Sequence, residues 1–283
     1  KVDNSIEIVA IFKDSPADKA GLKPGDKIIK VNNKDVSGME LDDVVKLIKN
    51  KKKVNIIVKR DNKEKEITLK QNTVVIPSVS SRIVESNNKK VGVLNVSIFA
   101  ANTYKQFKNK LDDLENKKID SLIIDVRQNS GGHLDQVSKI LSLFMKQDKV
   151  IYQIKTKKGV EKYYSTGKKS KNYNVVVLID NGSASASEIL AAAMNESYGA
   201  TLIGEKTYGK GTVQKEYMLS SGASIKYTVE NWLTPKGKSI NGKGISPTIE
   251  VALSDEYTNN PTDENDNQLQ EAIKFLTEEK KTN

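Results

Sequence analysis

No cysteine occurs among the 283 residues of this chain. That excludes thiol catalysis, zinc sites built on cysteine, and disulfide staples. Histidine occurs once, as His133, which excludes a zinc-binding helix of the His-x-x-x-His type. Arginine is scarce as well. Arg60, Arg82 and Arg127 are the only three, so the net charge of +10 is carried almost wholly by lysine. Readers of nucleic acid lean on arginine forks for bases and phosphates. Scattered lysine is instead the composition of a solvated surface with weak attraction to anionic membranes, and no nucleic-acid partner is expected. No apolar run approaches the roughly 18–20 residues of a membrane span, and the opening residues carry no signal-peptide pattern. What the chain does have is 37% apolar residues and enough length for one or two domains with a buried core.

The first 72 residues read as a small, mostly β module. "IEIVAIF" (6–12) is apolar enough for a strand. "SPADKAG" (15–21) has the pattern of one capped helical turn ending at Gly21. "DKIIKVNNKDV" (26–36) reads as a strand with a polar turn, and "LDDVVKLIKN" (41–50) sets Leu41, Val44, Val45 and Ile48 on one helical face. "KVNIIVKRDNKEKEITLK" (53–70) is a hairpin with Asp61-Asn62 at its tip. The stretch "SPADKAGLKPGDKIIKVNNKDV" (15–36) resembles the bacterial type of PDZ domain. The resemblance implies capture of an extended peptide end beside helix 41–50, although "KVDNS" (1–5) is not the glycine-rich carboxylate-binding loop that relatives carry ahead of this segment. A barrel of this size can also serve only as a spacer.

Residues 73–90 are polar and serine-rich, a linker with an edge strand, and open the second region, 73–283. From residue 91 strands alternate with helices. Strands are expected at 91–99, 121–126, 175–180 and 200–204, and helices at 103–117, 134–145 and 185–197. This is α/β layering over a largely parallel sheet, and sites in such sheets form where loops leave the carboxyl ends of strands. Three loops do so, at 127–132, 181–184 and 205–211.

"GEKTYGKGTVQ" (204–214) comes close to a phosphate-binding loop, but the residue after Lys210 is Gly211 rather than Ser or Thr, and "TVQKEYMLS" reads as extended chain. A phosphate loop needs both the hydroxyl and a following helix, so the nucleotide reading fails. In "GSASASEI" (182–189), Ser185-x-x-Glu188 is a capping box, and Ile189, Leu190, Ala193 and Met194 form the core face of a helix. A hydroxyl at a helix start is also exposed, rigidly held and near partial positive charge. As a nucleophile it needs a base. His133 follows Gly131-Gly132 in another loop and is one candidate. A lysine is the other, if its amine is neutral near pH 7, which requires lowering an ordinary lysine from about 10.4 by roughly 3 units. Burial can do that, and Lys210, between two glycines, is the lysine able to turn inward. For the oxyanion of an acyl intermediate, Ala186 offers a backbone N–H, and Gly131 or Gly132 in "NSGG" offers another.

Four segments, "DVRQNSGG" (125–132), "GSASASEI" (182–189), "IGEKTYGKGTVQ" (203–214) and "LTPKGKSINGKGISPTIEV" (233–251), resemble in order and spacing the C-terminal processing (tail-specific) serine proteases. The similarity extends to a closing helix in "DNQLQEAIKFL" (266–276). It implies a crotonase/ClpP-like protease core behind the PDZ module, with Ser185 as nucleophile, Lys210 as general base and Gln214 positioning the lysine amine. On a regular strand residues 210 and 214 would lie about 13 Å apart, so that pairing requires a bend near Gly211. Lys238 stands where many relatives have arginine and receives no role. The resemblance further implies a protein or peptide C-terminus as substrate, no metal or organic cofactor, work outside the cytoplasm with a membrane tether N-terminal to Lys1, and a homodimer.

Overall fold

A computed structural model describes residues 5–12, 15–49, 51–70, 72, 77–218 and 224–278; the side chains of 213–217 and 225–230 also lie outside the description. The chain divides into two compact units, residues 1–77 and 78–283.

In the first unit, strands β1 (Ile6–Glu7), β2 (Lys27–Val31), β3 (Lys34–Asp35), β4 (Lys53–Arg60) and β5 (Lys63–Lys70) form an antiparallel sheet of order β1-β2-β4-β5, with β3 on β2. Helices α1 (Pro16–Lys19) and α2 (Leu41–Ile48) accompany it. Ser15 caps α1 by accepting from the Asp18 N–H, and Gly21 follows at φ 81°. Asp61 and Asn62 turn the β4–β5 hairpin with φ of 50° and 59°, the left-handed pair a tight hairpin demands. One expectation needs correction. Only Ile6 and Glu7 of the 6–12 stretch find a partner on β2, and Val9 and Phe12 are exposed. Helix α2 buries Val44 alone; Leu41 and Val45 are 57% and 48% exposed, so its apolar face is wider than the core beneath it.

The second unit is built on a six-stranded sheet of order β15-β12-β11-β8-β7-β6, namely β6 (Val79–Ser86), β7 (Lys89–Val96), β8 (Ser121–Asp125), β11 (Asn174–Ile179), β12 (Thr201–Gly204) and β15 (Ile249–Glu250). All pairings are parallel except β6 with β7, so β6 is the edge strand within the stretch read as a linker. Side chains alternate across the sheet. Leu122, Ile124, Val177 and Ile179 face one cluster, with α3 (Thr103–Asn116), α4 (Leu134–Phe144) and α5 (Ala186–Ala193). Ile123, Val176 and Leu178 face the other, closed by Leu269, Ala272, Ile273 and Leu276 of α7 (Asn267–Thr277), which follows the short α6 (Asp255–Asn259). Burial on both faces explains why β8 and β11 are nearly continuous apolar runs. A five-residue π-helical turn, Met194–Tyr198, extends α5.

A second, antiparallel sheet of order β10-β9-β14-β13 was not expected. It comprises β9 (Val150–Thr156), β10 (Gly159–Tyr164), β13 (Thr212–Met218) and β14 (Ser224–Leu233). The three arginines are committed to carboxylates. Arg60 pairs with Asp26, Arg82 with Asp263, and Arg127 with both Asp125 and Asp266.

Candidate active site

The three expected loops leave the carboxyl ends of β8, β11 and β12. Between β11 and α5 the chain reverses sharply, and Ser185, the residue before α5, sits at φ 55° and ψ −113°. A non-glycine residue held there costs on the order of 1–3 kcal/mol and persists only where its surroundings fix it. Those surroundings are the alternating serines. Ser183 and Ser187 are fully buried, and their hydroxyls donate to the carbonyls of Val126 (2.8 Å) and Asn129 (2.7 Å). The Ala184 N–H donates to the same Asn129 carbonyl at 3.0 Å. The outer two serines stitch the turn to the β8 loop, and the middle one lines a pocket.

The β8 loop is itself fastened. Buried Asn129 donates to the Val96 carbonyl (2.8 Å) and accepts the Gly131 N–H (2.9 Å). Gly131, at φ 106°, passes so close to the turn that a Cβ there would lie 2.9 Å from Ser185 Cβ. Gly132, at φ 135°, leaves no room for a Cβ against the Phe99 carbonyl. Arg127, at the start of the loop, forks onto Asp125 and onto Asp266, the residue that caps α7 by accepting the Leu269 N–H. Burial works against the charge on Arg127, but Asp266 and Asp125 outweigh it and raise the guanidinium above its ordinary value.

Glu188 joins the serine to the lysine. Its side chain is fully buried on α5. Oε2 accepts the Ser185 N–H at 2.9 Å, its half of the expected capping box, and the Lys210 N–H at 2.8 Å. The two main-chain nitrogens are therefore no farther apart than the sum of these, about 5.7 Å. Oε1 accepts the Thr207 hydroxyl (2.6 Å) and the Gly209 N–H (2.7 Å). Four donors converge on one buried carboxylate.

Ser185 and Lys210 line one pocket of about 300 Å³, together with Gly132, Ala186, Thr212 and an apolar wall of Leu134, Tyr152, Ile154, Ile189 and Trp232. The Tyr152 ring stacks on Tyr163 at 4.6 Å, and burial, reinforced by Tyr163, pushes its phenol up to about 12, so this wall is uncharged. Lys210 is exposed to solvent although it lines this pocket, and the glycines on either side of it pack closely against the 240–244 segment. Lys210 precedes β13, and the β13–β14 register shifts between Val213 and Gln214, so residues 210 and 214 do not share a regular strand. The Gln214 side chain lies outside the described residues. His133 is the exposed N-cap of α4 and does not line the pocket. Extended β13, not a helix, follows Lys210, which removes the phosphate-loop alternative.

Sequence reasoning missed three contributors. Glu188 was read only as a local cap; its fit to an i,i+3 pattern hid partners 19 to 22 positions away. Asn129 and Trp232 act through long-range contacts that no local pattern encodes, and a sole tryptophan in a lysine-rich chain was the available hint for the latter.

Comparison with known proteins adds a second line of support. The profile of peptidase family S41 matches residues 90–251, and a PDZ domain profile matches residues 7–60. Carboxy-terminal processing protease CtpB of Bacillus subtilis is 39% identical over 277 residues, covering 96% of this chain and 57% of that protein. Carboxy-terminal processing protease CtpA of the same organism is 39% identical over 257 residues, covering 89% of this chain and 54% of its own length. The chain thus spans little more than half the length of these curated relatives. Among solved structures, the photosystem II D1 C-terminal processing protease superposes with a TM-score of 0.60 at 25% identity, covering 98% of this chain and 74% of that one.

Proposed function

Because the chain belongs to peptidase family S41 and carries a PDZ domain, we propose that it is a serine endopeptidase that uses Ser185 and Lys210 on protein substrates engaged through their C-termini. The observation that carries this reading is the strained Ser185 at the head of α5, tied through Glu188 to Lys210, with both residues lining one apolar-walled pocket.

In the proposed cycle the neutral Lys210 amine takes the Ser185 hydroxyl proton as Oγ bonds to the scissile carbonyl carbon. The oxyanion is stabilised by backbone donors. Ala186 and Gly132 suit this role, since both line the pocket, while the Gly131 N–H is committed to Asn129. The carbon–nitrogen bond then breaks, and the lysine ammonium gives its proton to the leaving amine. Water attacks the acyl-enzyme with Lys210 as base, and the proton returns to Ser185 Oγ as the acid product departs. Gln214 fits as the residue that orients the amine, because a neutral amide does not hold a lysine in its charged form. The shelter a neutral amine requires comes, on this reading, from substrate filling the pocket over the exposed Lys210 side chain.

The small unit engages or gates the substrate end, and its exposed Leu41 and Val45 offer apolar contact. Work outside the cytoplasm, tethered to a membrane, and a homodimer complete the proposal. Among the described residues no helix is long and apolar enough to cross a membrane. The exposed Lys210 also suits a second reading, a catalytically silent PDZ scaffold. Cleavage of an unstructured test protein, followed by mass spectrometry, separates the two. Turnover that is abolished in both Ser185→Ala and Lys210→Ala, with the circular dichroism spectrum retained, supports the protease. Full activity in Lys210→Ala with loss in His133→Ala assigns the base to histidine, and no cleavage by the unaltered chain leaves the scaffold.

A further inference from the structure

Trp232 is the only tryptophan in the chain, it is 3% exposed, and it touches two things at once. Its ring is part of the pocket beside Ser185. Its indole Nε1–H donates to the Lys210 carbonyl at 2.9 Å, and its main-chain N–H donates to the Gly211 carbonyl at 3.0 Å. Lys210 is thereby gripped on both sides of its main chain, by Glu188 at the N–H and by Trp232 at the carbonyl.

The residue whose carbonyl Ser185 attacks must project its side chain next to Ser185. The space there is walled by Leu134, Ile154, Ile189 and Trp232, with an uncharged Tyr152, and Lys210 is its only charged member among the described residues. At about 300 Å³ it exceeds the roughly 150 Å³ of an apolar cavity that accepts benzene. Leucine fits with full contact, alanine leaves the indole face uncovered, and a lysine or arginine meets Lys210.

We propose that Trp232 is both a specificity and a positioning residue. Its ring reads the substrate side chain on the N-terminal side of the scissile bond, and its Nε1–H transmits that contact to the Lys210 main chain, so that a well-filled pocket sets the base in place. This rests on the reading of Lys210 as general base. The coupling predicts that the substrate side chain alters kcat and not only KM, since an interaction that helps only the transition state appears in kcat.

The test uses two peptides that differ only in leucine or alanine at that position, with the full chain and with Trp232→Phe, which keeps an aromatic wall but removes the N–H. Loss of one hydrogen bond is worth up to about tenfold in rate. The unaltered chain is expected to turn over the leucine peptide with the higher kcat. In Trp232→Phe, kcat falls for both peptides but about tenfold further for leucine than for alanine, so the remaining preference lies in KM. A purely structural role lowers both peptides equally, and that result, or no change in either, overturns the inference. Should Trp232→Phe fold poorly, the sole tryptophan is itself the probe. In Ser185→Ala protein its emission should shift on binding the leucine peptide and much less with alanine, and an equal response to both also overturns the inference. If Lys210→Ala keeps its turnover, the catalytic reading has failed; if it is inactive while Trp232→Phe treats both peptides alike, only the coupling has.

Discussion

Helices α2 and α5 make an instructive pair. Each has eight residues and each stands beside a place where substrate is proposed to bind. All eight residues of α5 are buried, whereas α2 buries Val44 only and leaves Leu41 and Val45 in solvent. The difference suits the two proposed tasks. A strained serine needs every neighbour to hold it, so α5 is small-residued, enclosed and fixed at its start by a carboxylate with four donors. A surface that accepts varied chain ends needs apolar area left open, and it keeps that area at little cost because a few exposed apolar residues are ordinary on any protein.

The comparison can be broken most forcefully at Glu188. Glu188→Ala leaves the Thr207 hydroxyl and three N–H groups without their acceptor. It is expected to lower turnover at least about a hundredfold and to cost about 3–5 kcal/mol in urea unfolding. Turnover within a factor of a few of the unaltered chain would show that α5 does not need its enclosure.

A smaller effect is expected in the first unit, at a buried ion pair. Asp26 has a fully buried side chain and accepts two bonds from Arg60 and one from the Lys23 N–H. Arg60, followed by the Lys23 N–H and against the opposing effect of burial, holds the Asp26 carboxyl below its ordinary value of 3.8. A lowered carboxyl contributes stability that is complete above that ordinary value and is lost as pH falls through the lowered one. Hydrogen-exchange protection at Val31, Val54 and Ile56 should therefore drop as pH is taken below about 4. Arg60→Met should remove about 3 kcal/mol of it at neutral pH, because Asp26 is left buried without its partner. Unchanged protection in that variant would mean the pair is ornamental.

The smallest stability effect belongs to α2. Val45→Glu should change unfolding free energy by no more than about 0.5 kcal/mol, yet slow cleavage of a long unstructured protein while sparing a short peptide that needs no delivery. Equal slowing of both would sever α2 from substrate engagement.

Much of this architecture was legible beforehand because its signals are local. The buried strands around Ile123 and Val177 are short continuous apolar runs, the Asp61-Asn62 turn has the residues its dihedrals require, and helices α3, α4 and α7 fall within two residues of their periodic patterns. The sheet containing β9 and β14 escaped because its pairing joins Ile154 to Trp232, and no short window contains both. The site divides along the same line. Ser185 and Lys210 were reachable through spacing, whereas the carboxylate that binds their backbones together looked like an ordinary cap. The exposure of Lys210 was not legible, because flanking glycines indicate what a backbone can do and say nothing about where a long amine settles.

Arg127 has a consequence in time rather than space. One of its two carboxylate partners, Asp125, lies two positions away; the other, Asp266, comes far later in the chain. While a ribosome is still extruding the polypeptide, the serine, the lysine and all three loops emerge before the clasp that steadies the glycine-bearing loop has its second jaw. On the proposed protease reading, a nascent chain would pose little proteolytic hazard to its neighbours until α7 has left the exit tunnel.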